Sequence, residues 1–153
     1  MEERKNVIAA SDSYSPLPIS HSLQNKMNDY RDYEIWKRGK VIAKMTYLLT
    51  KSYPKEELYG MTSQMWRAAT SIPANIAEGW GRHYPAEFIH FLRTANGSRT
   101  ELETHLMISN DVGLCTMEEA QPIFDELTIL GKQLLALERS LKRRSQNQAN
   151  GEQ

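Results

Sequence analysis

Apolar residues recur at intervals of three and four along four stretches of the chain, which is the period of an amphipathic helix. The last stretch shows the pattern most clearly, with successive intervals of four, three, four, three and four: Ile123, Leu127, Leu130, Leu134, Leu137 and Leu141. It opens with Thr116 and Glu119, which have the spacing of a capping box. We predict a helix with a bundle seam here, distorted locally by Pro122.

Three earlier stretches also predict helices. The first opens at the N-cap Asp32 and ends at Pro54, and four apolar residues form its stripe: Ile35, Ile42, Met45 and Leu49. The second runs from about Leu58 to Gly79, and Pro73 inside it is expected to kink it. The third begins near Pro85, and its buried face is predicted to hold six residues: Phe88, Leu92, Ala95, Leu102, Leu106 and Ser109.

The links at 80–83 and 113–115 are short, and short links force successive helices to lie antiparallel. We therefore predict an all-α fold, an antiparallel up-down-up-down four-helix bundle with disordered tails. The bundle is expected at 29–144, with an N-terminal tail at 1–28 and a C-terminal tail at 145–153. Met27 stands directly before the ordered part, so translation could begin at Met27 instead of Met1.

Composition limits the partners and the cellular compartment that we expect for this protein. Lys plus Arg and Asp plus Glu both number 19, so the chain has no global charge that would attract nucleic acid or a membrane. Cys115 is the only cysteine, which fits a reducing compartment. The sequence has no apolar run of signal-peptide or membrane-spanning length. We expect a cytoplasmic protein with no membrane partner.

Polar residues form a second stripe on each of the two middle helices. Seven of them are predicted to form one polar cluster or oligomer interface: Arg67, Ser71, Asn75, Glu78, Arg82, Ser98 and Glu101. Arg99 is a further candidate cation for this cluster. The alternative is that both stripes are ordinary solvated faces. Ser71 and Asn75 favour the cluster because they are poor residues for a helix interior, and Pro73 lies between them.

Basic residues crowd the first helix and the end of the fourth. Eight are candidates for binding nucleic acid: Lys37, Arg38, Lys40, Lys44, Lys51, Lys142, Arg143 and Arg144. Clustering favours this role because phosphate binding strengthens with the number of contacts. The alternative is that these side chains only solvate the outside of the bundle.

Two acid–histidine pairs raise the possibility of a metal enzyme, because Glu87 and His90 have the spacing found in di-iron bundles and Glu101 and His105 form a second pair. A di-iron site also needs inward carboxylates from the first helix, and that helix offers none. The sequence contains no Gly-rich phosphate loop and no nucleophile elbow. We expect no catalytic residue, no metal and no cofactor.

Three runs of sequence resemble one known family. They are Gln-Met-Trp-Arg-Ala-Ala-Thr-Ser-Ile-Pro-Ala-Asn-Ile-Ala-Glu-Gly-Trp-Gly-Arg at 64–82, Asp-Tyr-Glu-Ile-Trp at 32–36 and Ala-Asn-Gly-Ser-Arg-Thr-Glu-Leu-Glu at 95–103. All three resemble the four helix bundle proteins, also called 23S rRNA intervening-sequence proteins. The resemblance covers roughly 30–141, and the run Ser-Ile-Pro-Ala-Asn-Ile-Ala-Glu-Gly at 71–79 is its most specific part.

The resemblance implies a bundle that assembles as a homopentamer and has no assigned activity. Some members are encoded inside intervening sequences of ribosomal RNA genes. The family is also similar to accessory proteins of diversity-generating retroelements, which are basic pentamers that bind a reverse transcriptase and its RNA. This chain departs from those accessory proteins because it is neutral overall.

Together these observations predict a non-enzymatic homo-oligomer that binds RNA or DNA, or a nucleic-acid enzyme such as a reverse transcriptase. The alternative is a scaffolding oligomer that has a protein partner and binds no nucleic acid.

Overall fold

The computed structural model describes residues 29–151. Four long helices account for most of this part: α1 (Glu34–Thr50), α2 (Met61–Gly81), α3 (Pro85–Asp111) and α4 (Met117–Gly151). Two short 3₁₀ turns, Tyr30–Asp32 and Lys55–Glu57, precede α1 and α2, and there is no strand within 29–151. The predicted all-α class and the four helices are confirmed. The predicted tail at 1–28 lies outside the described residues.

The helices pack in chain order, with α4 returning to α1, so each helix has two neighbours. The contacts along each seam show the relative direction of the two helices that form it. Between α2 and α3, for example, Arg67 reaches Glu101 while Ser71 reaches Ser98. Contact partners whose numbers rise on one helix and fall on the next show that neighbouring helices are antiparallel, as the short links required.

The helix starts differ in part from the predicted ones. Asp32 is not the N-cap of α1, because residues 30–32 form the 3₁₀ turn and α1 follows Tyr33, which makes no side-chain cap. The capping carboxylate is Asp29, whose Oδ1 accepts the backbone N–H of Arg31 at 2.8 Å. The box at the start of α4 is confirmed: Glu119 Oε2 accepts the N–H of Thr116 at 2.8 Å, and Thr116 Oγ1 accepts the N–H of Glu119.

The start of α2 and the end of α4 differ from those predicted from the sequence periodicity. α2 begins at Met61 instead of about Leu58, because the turn at 55–57 comes first and Glu57 accepts the Met61 N–H at 3.1 Å. α4 continues to Gly151, so residues 145–151 are helical although we predicted a tail there. No proline or glycine interrupts 132–150, and its residues are mostly adequate helix formers.

Both interior prolines lie within continuous helices. Pro73 packs on α1 at Gly39, where an added Cβ would lie 3.3 Å from Pro73 Cβ and 3.3 Å from Ile72 Cγ2. The proline ring thus fills a close approach between α1 and α2. This packing offsets the loss of the backbone hydrogen bond that a proline N cannot donate.

The core is formed by apolar side chains from all four helices. On α3 the whole predicted face is buried, and on α4 Leu137 alone of the predicted seam is only partly buried. On α1, Met45 and Leu49 are also only partly buried, while Thr46 and Thr50 are buried instead. Each threonine hydroxyl donates to the carbonyl four residues earlier, at 2.8 Å and 3.0 Å, so neither is buried without a partner.

α2 and α3 approach each other closely at Gly79. A Cβ added there would lie 2.5 Å from Phe91 Cβ and 3.0 Å from Phe88 Cδ2. Only glycine therefore fits without moving α3. Within 29–151, no helix has the length and apolar character needed to cross a membrane.

Candidate functional site

Polar side chains from α2 and α3 meet in the seam between these helices. The hydroxyls of Ser71 and Ser98 are 2.9 Å apart, and Asn75 Nδ2 donates to the Ser71 carbonyl at 2.8 Å and to Ser71 Oγ at 2.9 Å. Ser98 is buried, and Ser71 and Asn75 are half-buried. These three predicted residues therefore form a hydrogen-bonded bridge between two helices of the same chain.

The charged residues of the prediction lie at the exposed edge of the same seam, in two separate groups. Arg67 Nη2 donates to Glu101 Oε1 at 3.2 Å. Towards the other end of the seam, Arg82 directly follows α2, and its Nη2 donates to Glu78 Oε1 at 2.7 Å. Because α2 and α3 are antiparallel, Glu78 lies towards Phe91, and the Arg82 guanidinium lies 5.4 Å from the Phe91 ring centre. The single cluster that we predicted is therefore divided.

Arg99, the other candidate cation, faces α4 instead. It donates to Asn96 Oδ1 at 2.8 Å and to Glu103 Oε2 at 3.2 Å. Its guanidinium lies over Gly131, where an added Cβ would be 3.1 Å from Arg99 Cζ. Arg99 therefore contributes to the α3–α4 seam and not to the polar residues of α2.

His105, which the sequence analysis paired with Glu101, lies on α3 beside the polar seam. Both ring nitrogens are buried and have no hydrogen-bond partner within 29–151. Nε2 lies 3.5 Å from Glu101 Oε1. His105, Glu101 and Arg67 therefore lie in one row at the edge of the α2–α3 seam.

Three lysines are exposed on one side of α1, two within the helix and one directly after it: Lys40, Lys44 and Lys51. Lys40 Nζ lies 4.1 Å from the centre of the Trp36 ring, and Lys51 Nζ lies 5.4 Å from that of Tyr47. Neither makes an ion pair within 29–151. Lys37 differs, because its Nζ donates to Glu34 Oε1 at 2.8 Å and holds the pKa of that carboxyl below its ordinary value.

Arg38 was predicted with these lysines, but it faces α4. Its guanidinium forms an ion pair with Glu126 and donates to Gln133 Oε1 at 3.1 Å. The side chain is 23% exposed, which is too little for it to meet a phosphate freely. We therefore remove Arg38 from the candidate phosphate-binding residues and assign it to the α1–α4 seam.

The three basic residues at the end of α4 point in different directions. Lys142 Nζ binds Glu138 Oε1 at 2.7 Å, and this hydrogen bond is the main reason that the pKa of Glu138 is lowered. Arg144 lies near Tyr33 and opposes the rise that burial gives to the pKa of that phenol. Arg143 is exposed. Consecutive residues of a helix point about 100° apart, so these three do not form one basic surface with α1.

Two exposed aromatic side chains next to the α1 lysines were missed by the sequence analysis. The rings of Tyr47 and Trp66 are 5.2 Å apart and inclined by 51°, and the side chains are 47% and 41% exposed. A signal was present for Tyr47, because Lys40, Lys44, Tyr47 and Lys51 follow at intervals of four, three and four. Trp66 joins them only through the packing of α2 on α1.

The acid–histidine pairs do not assemble a metal centre in the described part of the chain, where no three His, Cys, Asp or Glu side chains are grouped to hold an ion. His90 is exposed and its ring contacts Phe91, with centres 5.5 Å apart. Glu87 and His90 therefore stand on the outside of α3.

A solved structure and a family model both resemble this chain. The structure is a protein of unknown function from the S23 ribosomal protein family of Bacteroides thetaiotaomicron VPI-5482, with a TM-score of 0.61 and 24% identity. The alignment covers 67% of this chain and 96% of that one, and at this identity it supports the fold alone. No curated protein is significantly similar in sequence.

The family model is described as 23S rRNA-intervening sequence protein, and it matches residues 31–136. This range begins in the turn before α1 and ends within α4, so it includes the polar seam and the α1 lysines. The match spans more than half of the 153 residues, and the chain belongs to the 23S rRNA-intervening sequence protein family.

Proposed function

We propose that this protein is a non-enzymatic, self-associating bundle that binds nucleic acid through the lysine face of α1. We define this face as Lys40, Lys44 and Lys51. The observation that carries the proposal is its charge environment. α1 and α2 contain one acid each, and both acids are paired. Glu34 binds Lys37 of the same helix, and Glu78 binds Arg82, which directly follows α2.

The spacing of the lysine face suits a polyanion. Eleven residues separate its first and last members, which is about 16 Å along a helix. A nucleic-acid strand with one phosphate per roughly 3.4 Å would offer several phosphates over that length. The chain is neutral as a whole, so binding would depend on this local concentration of charge.

Removing the lysine face should weaken binding and make it less sensitive to salt. We expect Lys40→Ala, Lys44→Ala and Lys51→Ala together to lower RNA affinity at least about tenfold at low salt. The slope of log K against log salt should become shallower by up to about 2, because each lost phosphate contact contributes about 0.7 for a single strand. Filter binding at several salt concentrations measures both quantities.

The control carries the same charge change on α4. Lys132, Arg139 and Arg143 are exposed and follow at intervals of seven and four, so they form one line along the outer side of that helix. Their replacement by alanine should leave affinity within about twofold. An equal loss in both triple variants would place the binding surface elsewhere, and a wild-type protein without salt-dependent binding would refute the proposal.

The same face could serve if the nucleic acid arrives bound to an enzyme such as a reverse transcriptase, since the phosphates would be recognised in the same way. The alternative function, a scaffold with a protein partner, predicts assembly without any salt-dependent RNA or DNA binding. The binding experiment therefore separates the two functions.

We also infer that the exposed edge of the α2–α3 seam takes part in self-association, in a ring that the family resemblance suggests is a pentamer. The supporting observation is that the ion pairs of this edge add little to the stability of a single chain. Arg67 and Glu101 are 70% and 43% exposed, and Arg82 and Glu78 are 54% and 51% exposed. Exposed ion pairs of this kind stabilise a fold by about 0–1 kcal/mol.

Replacement of Glu78 by alanine tests this role. The monomer should remain folded, because Glu78 bonds only to the exposed Arg82 within 29–151. If the carboxylate bonds to a second subunit, the variant should sediment with a smaller mass than the wild type at equal concentration. Glu118→Ala on α4, another exposed acid, is the control and should not change the mass. An unchanged mass for the Glu78 variant would exclude this residue from the contact.

A further inference from the structure

Tyr47 and Trp66 are exposed and contact each other, unlike Tyr59 and Tyr84, which are exposed but contact no other ring within 29–151. Trp36 and Trp80 are half-buried at one end of the bundle, where both contact the Tyr30 ring at 5.2 Å and 5.8 Å. Tyr47 and Trp66 instead expose 47% and 41% of their surface on the outer side of the α1–α2 seam. Large aromatic surface in water is unfavourable, so the pair is a candidate contact for something outside the chain.

We propose that the Tyr47–Trp66 pair is a base-stacking site and that the nucleic acid bound by this protein is single-stranded. The proposal rests on the proposed function, because it adds base recognition to the phosphate binding of the lysine face. The shared chemistry is an unpaired base next to a phosphate, which both RNA and single-stranded DNA provide.

The position of the pair within the lysine face supports this role. Tyr47 lies on the same side of α1 as Lys44 and Lys51, three and four residues away along the helix. Lys51 Nζ is only 5.4 Å from the centre of the Tyr47 ring. A strand with its phosphates at the lysines would thus bring its bases to the two rings.

The geometry of the pair leaves ring surface for a base. The two rings are inclined by 51° at a centre separation of 5.2 Å and are not stacked face to face, and the side chains are 47% and 41% exposed, so part of each ring is open to a base. Stacking of a base on an aromatic side chain contributes about 1–3 kcal/mol and tolerates any base. A duplex hides its base faces in the helical stack, so this contribution is available only to unpaired strands.

Side chains around the pair favour a polyanion over an acidic protein surface. Thr70 lies one turn after Trp66 on α2, and its hydroxyl donates to the Trp66 carbonyl at 2.9 Å. Neither α1 nor α2 places an unpaired acid beside the rings, as described above. Aromatic rings among unneutralised lysines are the combination found in grooves that bind single strands.

The test compares 12-nucleotide adenine RNA, adenine DNA and a duplex of the same length by fluorescence anisotropy with full-length protein. We expect both single strands to bind at least about tenfold more tightly than the duplex. Tyr47→Ala with Trp66→Ala should lower single-strand affinity about tenfold or more and leave the salt slope unchanged, because the phosphate contacts remain. Tyr47→Phe with Trp66→Phe should retain most of the affinity.

The control variant carries Tyr84→Ala, directly before α3, and Met107→Ala, on α3. These two side chains are 68% and 50% exposed. This variant should bind as the wild type does. Since the alanine variant of the pair could be less stable, a second measurement uses the wild-type protein. Ultraviolet cross-linking to a 5-bromouridine strand should label the peptides that contain Tyr47 and Trp66.

The outcomes separate this inference from the proposed function. If the duplex binds as tightly as the single strands and the ring variant is unaffected while the lysine variant loses affinity, stacking is refuted and phosphate binding stands. If the wild type binds none of the three probes, both proposals fail. If the ring variant changes the sedimenting mass with no change in affinity, the pair is a protein contact and stacking is again refuted.

Discussion

Replacing Leu130 by alanine is expected to lower the free energy of unfolding by about 3–4 kcal/mol. Leu130 is fully buried on α4, in the seam that closes the bundle. Truncation removes the transfer free energy of the lost methyl and methylene groups and leaves a cavity that packed neighbours cannot fill, which together cost about 2–5 kcal/mol for leucine. A small domain has a total stability of about 5–15 kcal/mol, so this loss is a large share.

The matched control is Leu135→Ala on the same helix, where the side chain is 46% exposed. This substitution makes the same chemical change at a position where little packing is lost, and we expect a cost below about 1 kcal/mol. Urea unfolding followed by circular dichroism measures both variants. Similar losses at the two positions would contradict the bundle seam assigned to α4.

Replacing Gly79 by alanine is expected to destabilise the protein although alanine is the better helix former. The new Cβ would lie 2.5 Å from Phe91 Cβ, an atom that is attached directly to the backbone of α3. Relief therefore requires the two helices to separate, and overpacking of this kind costs about 1–3 kcal/mol or more. The gain in helix propensity of about 1 kcal/mol offsets only part of that cost, so we expect a net loss of about 2 kcal/mol.

The control for this substitution is Gly97→Ala. Gly97 lies in the middle of α3, and a Cβ there meets nothing within 4 Å. The substitution should stabilise the protein by about 0.5–1 kcal/mol through helix propensity alone. The two alanine variants should thus differ by about 3 kcal/mol in thermal or urea unfolding. Equal stability of the two would show that α2 and α3 do not meet closely at Gly79.

The polar stripes of α2 and α3 show how much of a polar site can be predicted from sequence spacing. Their spacing put Ser71 and Ser98 in neighbouring polar stripes, and in the structure the two hydroxyls are 2.9 Å apart. The pattern could not show that Glu78 and Glu101 lie at different levels, because the register of two antiparallel helices depends on where the turn at 82–84 aligns them. It also could not separate Arg99 from this group, since its position on the edge between two seams fits either neighbour.

The basic residues illustrate the same limit. Composition identified the lysines of α1, but the direction of each side chain depends on its neighbours in space. Arg38 bonds to Glu126 and Gln133 of α4, which lie more than eighty residues away in the chain. The Tyr47–Trp66 pair is likewise formed by two helices. Neither contact has a periodic signature in one segment.

The sequence by itself determined the fold class and the number of helices, because helical periodicity, a capping box and short links are local signals whose physics acts within a few turns. It also determined most of the core on α3 and α4, where the apolar stripe is unbroken. Only the tertiary structure decided which polar residues bridge the helices, which cations remain free and which aromatic rings face outward. Those properties depend on the register and close approach of separate helices, as at Gly79, and the packing of the whole bundle sets them.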